Sequence, residues 1–60
     1  MSVEKRMEDM IQMLNDSMKD AAKHGNGNKA AGTRVRKVLQ AVAIECKELR
    51  KQVQAERSAE

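Results

Sequence analysis

The stretch Val35-Arg36-Lys37-Val38-Leu39-Gln40-Ala41-Val42-Ala43-Ile44-Glu45-Cys46-Lys47-Glu48-Leu49-Arg50-Lys51-Gln52-Val53 sets Val35, Leu39, Val42, Cys46, Leu49 and Val53 at alternating steps of four and three. That spacing gathers apolar side chains into one arc of a 3.6-residue helix. No proline interrupts the chain, so the pattern predicts a helix over about 28–57. Asn28 is the preferred cap; Gly32-Thr33 offers a second start, because a glycine inside a helix costs about 1 kcal/mol against alanine.

Upstream, His24-Gly25-Asn26-Gly27-Asn28 concentrates residues that accept positive φ, and the chain must turn there. Before the turn, Val3, Met7, Met10, Leu14 and Ala21 repeat the helical spacing, with Ile11 and Met18 filling the adjacent row. A first helix over about 3–23 follows, with Ser2 as its cap, Glu4 in its first turn, and Lys19 and Lys23 in its last, where they complement the macrodipole. The fold class is therefore all-α: one domain, 1–60, built as an antiparallel two-helix hairpin. Met7, Met10, Leu14, Val35, Leu39, Val42, Cys46, Leu49 and Val53 form the expected core and oligomer seam.

Sixty residues bound what this hairpin can do. With no Phe, Tyr or Trp, there is nothing to anchor a large core, line a cofactor pocket or stack on an unpaired base. Two helices sharing one seam are marginal alone. The second helix, roughly 45 Å long against about 30 Å for the first, overhangs its partner with Leu49 and Val53 exposed on the overhang. Self-association into a helical bundle or coiled coil is expected, with a dimer of hairpins as the simplest closed form. A single cysteine and the lack of a long apolar run point to a reducing, cytoplasmic setting without a membrane segment.

Charge divides at the turn. Residues 1–23 carry four basic and five acidic side chains, whereas residues 24–60 carry eight basic and four acidic ones. At 100° per residue, Lys29, Arg36, Lys47 and Lys51 fall on one flank and the far side of the second helix, with Lys37 and Arg50 at the edges of that band. Glu45, Glu48 and Glu56 fall on the other flank. A basic row without interleaved acids is suited to duplex phosphates and cannot read bases, so duplex DNA bound without sequence specificity is the expected partner. A solvated helix face is the plain alternative reading of the same charges.

The segment Asn28-Lys29-Ala30-Ala31-Gly32-Thr33-Arg34-Val35-Arg36-Lys37 resembles the bacterial linker-histone-like proteins of the chlamydial type. The resemblance implies a nucleoid-associated, DNA-binding protein in which Lys29, Arg34, Arg36 and Lys37 belong to the basic motif. Arg34 enters by the resemblance alone, since the helical projection sets it on the acidic flank. Beyond Lys37 the likeness reduces to charge and heptad pattern, and before Asn28 to the presence of a first helix. Chlamydial members append a Lys- and Ala-rich tail; the sequence stops at Glu60 without one, and weak DNA association or a purely architectural role, rather than strong compaction, is the expectation.

The remaining reactive side chains carry plainer readings. Cys46, on the seam, reads as a small buried hydrophobe ahead of a thiol or metal role. His24 has no Cys, Asp or Glu at ligand spacing and reads as a capping or exposed residue. Glu8-Asp9 and Asp16 with Asp20 read as a solvated face. The methionines at 1, 7, 10, 13 and 18 read as adaptable core. Ile44 reads as a lone surface aliphatic. No metal, cofactor or small-molecule substrate is expected, and no enzyme activity. The competing functional reading is a helical assembly or adaptor protein, part of a larger particle, whose basic stripe meets acidic protein surfaces.

Overall fold

Ser2 starts the first helix by accepting the Lys5 N–H on its hydroxyl oxygen at 3.0 Å, which satisfies one of the donors that a helix start leaves open. The computed structural model describes residues 2–58, so Met1 lies outside the described residues. Three helices follow, α1 (Val3–Asp16), α2 (Met18–Gly25) and α3 (Lys29–Ser58), with no strand among the described residues.

The first predicted helix is thus broken in two. Ser17 donates its hydroxyl to the Met13 carbonyl at 2.7 Å, and its own N–H turns to the Leu14 carbonyl at 3.1 Å. A serine bonding back across one turn competes with the regular ladder and bends the helix there. α1 and α2 are in effect one bent rod laid along α3.

The turn is tighter than the sequence suggests. α2 continues through His24 and Gly25, and the left-handed residue is Gly27, at φ 93°. Gly27 donates to the His24 carbonyl at 2.9 Å and Asn28 to the Lys23 carbonyl at 3.0 Å; this pair of bonds closes a Schellman-type end, which requires the conformation that glycine adopts without strain. Asn28 immediately caps α3, accepting the Ala31 N–H on its side-chain oxygen at 3.0 Å. Gly32 lies inside α3.

So short a turn sets the two arms in register from one end to the other. His24 lies across Gly32, Asp20 pairs with Arg34, Arg6 reaches Glu45 and Gln52, and Val3 lines one groove with Leu49 and Val53. The expected overhang is accordingly confined to the last few residues of α3. Leu49, expected on it, is one of two buried residues among those described, the other being Ala31.

The seam is also rotated from the expected one. Residues facing the other arm in α3 follow 31, 35, 38, 42, 45, 49 and 52, and in the bent rod 3, 6, 10, 13, 17 and 20. Met10, Val35, Val42 and Leu49 belong to this seam as expected. Met7, Leu14, Leu39, Cys46 and Val53 do not: all five are exposed along one side of the hairpin. The seam takes small or polar residues, including Ser17, Asp20, Glu45 and Gln52, because closely packed arms leave its edges open to water.

An ideal Cβ on Gly32 would stand 2.6 Å from His24 Nδ1. Gly32→Ala gains helix propensity of about 1 kcal/mol, in full where that imidazole is removed and less where it must first shift aside. In a thermal-melt cycle, Gly32→Ala should raise stability more in a His24→Ala background than in the natural chain; equal gains would contradict the close approach. Hydrogen bonds from Arg34, and then the charges of Arg34 and Lys23, hold the Asp20 carboxyl below its usual 3.8 against opposing desolvation. A depressed folded-state value contributes stability above the unfolded value, and that contribution is lost as pH falls through the lower one. Helicity melts should therefore separate Asp20→Asn from the natural chain above about pH 4 and converge as pH drops below it.

Candidate nucleic-acid interface

α3 carries all seven basic residues singled out in the sequence, and the structure divides them. Lys29 and Arg36 stand over the groove at the turn end, beside His24 and Leu39. Arg36 continues with Lys37 around Thr33 and Gln40. Further along, Lys47, Arg50 and Lys51 gather around Gln54. Residues 38–44 between the groups are uncharged, and exposed Ile44 lies among them. The stripe is therefore two basic patches on one rigid rod, separated by roughly 15 Å at the helical rise.

Carboxylates do not neutralise most of this edge. Among the described residues, Lys29, Arg36, Lys37, Lys47 and Arg50 make no ion pair, and Lys51 meets Glu48 only at 3.8 Å with both side chains at least half exposed. An ion pair so solvated contributes little and is easily exchanged for a phosphate.

Arg34 stands apart from both patches. Its Nε and one terminal nitrogen donate to the two oxygens of Asp20 at 3.0 and 2.9 Å, a bidentate clasp between α2 and α3. The hydrogen bonds to Asp20, and then its charge, raise the Arg34 pKa above its usual value. The helical projection indicated this place for Arg34, on the acidic flank; Asp20 itself reads as a solvated residue until the two arms are brought into register.

A second polar clasp has no counterpart in the sequence reading. Arg6 donates to Gln52 Oε1 at 2.7 Å and to both oxygens of Glu45, at 3.1 and 3.3 Å, while Gln52 donates to Glu56 at 2.9 Å. These residues lie 39 to 46 positions apart, so only knowledge of the hairpin register would reveal them. Glu45 and Glu56 are in this way kept away from the cations of the other flank, whereas Glu48 reaches Lys51.

The hairpin thus has one polar side, with a depression lined by Arg6, Asp9, Glu45 and Gln52, and one apolar side, with grooves lined by Val3, Met7, Met10, Leu49 and Val53 and, nearer the turn, by Val35 and Leu39. Cys46 is a free thiol exposed on the apolar side. No group of three or more His, Cys, Asp or Glu able to hold a metal ion occurs among the described residues, and no described helix is long and apolar enough to cross a membrane.

No curated protein and no solved structure matches the chain. The family model of the histone H1-like protein Hc1 matches residues 4–59, which span both arms and the turn. The chain therefore belongs to the histone H1-like Hc1 family, a histone-like, DNA-binding family.

Proposed function

We propose that the protein is a non-enzymatic, nucleoid-associated component that binds duplex DNA without sequence specificity through the outer edge of α3, acting as a homo-oligomer. The observation that carries this reading is the row of cations without carboxylate partners among the described residues, Lys29, Arg36, Lys37, Lys47 and Arg50, on a helix whose Glu45 is held by Arg6 of the other arm. A straight row of this kind matches phosphate charge and offers no side chains shaped to read base edges. Lys51 joins the row on exchange of its long contact with Glu48. Arg34 contributes stability to the hairpin and little to the bound phosphates.

Self-association is supported by the apolar side. Met7, Ile11, Leu14, Met18, Leu39 and Val53 are all exposed, and their spacing along both arms is helical and continuous. The same side supports the second reading, an assembly protein whose partners are other proteins. In that case mass measured by light scattering rises with concentration while a mobility assay at physiological salt shows no retained duplex.

Binding is dominated by counterion release, so log K should fall against log salt with a slope of about −4 per protomer for four to five phosphate contacts. Titration of two unrelated duplexes should give the same slope; a flat response overturns the reading. Arg36→Glu with Lys37→Glu should weaken binding to both duplexes alike while far-ultraviolet circular dichroism stays unchanged. Asp20→Asn frees Arg34 from its clasp and should steepen the salt slope by up to about one contact, a change that a filter-binding titration resolves.

A further inference from the structure

The cations of α3 are unevenly spaced along one line. At 100° per residue, Lys29, Arg36, Gln40, Lys47 and Gln54 fall within about 40° of one another, on the side opposite the seam positions 31, 38, 45 and 52. Lys37 and Arg50 flank this line on its two sides, and Lys51 continues it. From Lys29 to the Arg36–Lys37 pair the rod advances about 11 Å, and from that pair to the centre of the Lys47, Arg50 and Lys51 group about 19 Å. We propose that α3 lies lengthwise on a B-form duplex, square to its strands, and rests these three groups on three successive passes of the phosphate backbone. The minor groove runs beneath the shorter gap and the major groove beneath the longer one. The inference rests on the duplex-binding reading above and specifies how the duplex is held.

B-form grooves are about 6 and 12 Å wide, and the bulk of the phosphates adds about 6 Å between backbone centres, giving roughly 12 and 18 Å. The gaps along α3, one short and one long, follow the same alternation. Their sum, about 30 Å, matches one duplex turn, which advances about 34 Å along the axis and roughly 30 Å measured square to the inclined strands. A rod following a single strand would instead meet a phosphate about every 7 Å. The outward face between Lys37 and Lys47 offers those phosphates no charge.

What stands over the long gap suits a groove better than a backbone. Gln40, Ala43 and Ile44 face outward there, and all three are exposed. An aliphatic side chain set against a phosphate takes water from a charge and returns no hydrogen bond. Over the major groove, about 8.5 Å deep, the same side chain hangs above the base edges without reaching them. That placement agrees with binding that ignores base sequence. None of the acids of α3 shares the line of cations; Glu48, beside it, meets Lys51 at 3.8 Å. Lys19 and Lys23 stand on α2, beyond the seam from this face, and take no part.

Moving charge along the rod without changing its amount tests this arrangement. Lys47→Gln and Lys51→Gln, combined with Gln40→Lys and Ile44→Lys, shift two cations back by one heptad, about 10 Å, along nearly the same line and into the span over the major groove. With helicity unchanged by circular dichroism, the expected result is a salt slope shallower by about two phosphate contacts and a duplex affinity lower by more than about tenfold at physiological salt. An unchanged slope and affinity overturn the arrangement while leaving sequence-independent binding intact. A natural chain whose binding ignores salt overturns both. A second variant keeps every natural cation: Gln40→Lys with Ile44→Lys alone should steepen the slope by less than about one contact, since the added ammonium groups hang over the groove. Steepening by one contact or more, toward the two gained by a rod that follows one strand, contradicts the proposal.

Discussion

Everything along this molecule is indexed by the approach of its two arms at the turn. Gly27 adopts the left-handed conformation that closes α2, Asn28 opens α3 without a linker, and Ala31 is shut from solvent one turn later. Gly32 lets the His24 imidazole lie against the helix, where any larger residue would push it away. Antiparallel rods starting this close have no freedom of register, so Asp20 must find Arg34 and Arg6 must find Glu45 and Gln52. Polar clasps at both ends of the seam then do what a large apolar core does in a bigger domain: they select one alignment, at modest gain in stability.

The helical arms, their caps at Ser2 and Asn28 and the placement of the turn could be read from the amino-acid order, since each depends on local chemistry. The bend at Ser17 could not, because one hydroxyl bonding to Met13 outweighs a continuous apolar period only in the folded context. Nor was the rotation of the seam legible. Val35, Val42 and Leu49 serve both the expected and the observed stripe, and the period does not say whether Leu39, Cys46 and Val53 or Val38, Glu45 and Gln52 accompany them inward. Arg6 decides it: its guanidinium bonds to Glu45 and Gln52 turn that polar edge toward the other arm. The leucine and methionine rows on the far side are left facing water as a result.

The basic site was legible as residue types and only partly as geometry. Lys29, Arg36, Lys37, Lys47, Arg50 and Lys51 could be placed on α3 by counting, yet their division into two patches depends on the uncharged stretch 38–44 as much as on the cations. Arg34 has a partner that motif reading alone does not disclose. It sits in the segment that carries the family resemblance, but its planar donor fork is matched to Asp20 across the turn.

With Ala31 and Leu49 as the buried core among the described residues, little separates the folded hairpin from an open chain. Ligands that bind only the folded form shift such an equilibrium in proportion to the logarithm of their concentration. A polyanion that collects many copies along its length thereby crowds them together and favours the ordered form of each. On the proposed function, folding, pairing and adhesion become one linked equilibrium, and the thinness of the core makes the protein's shape responsive to the surface it meets.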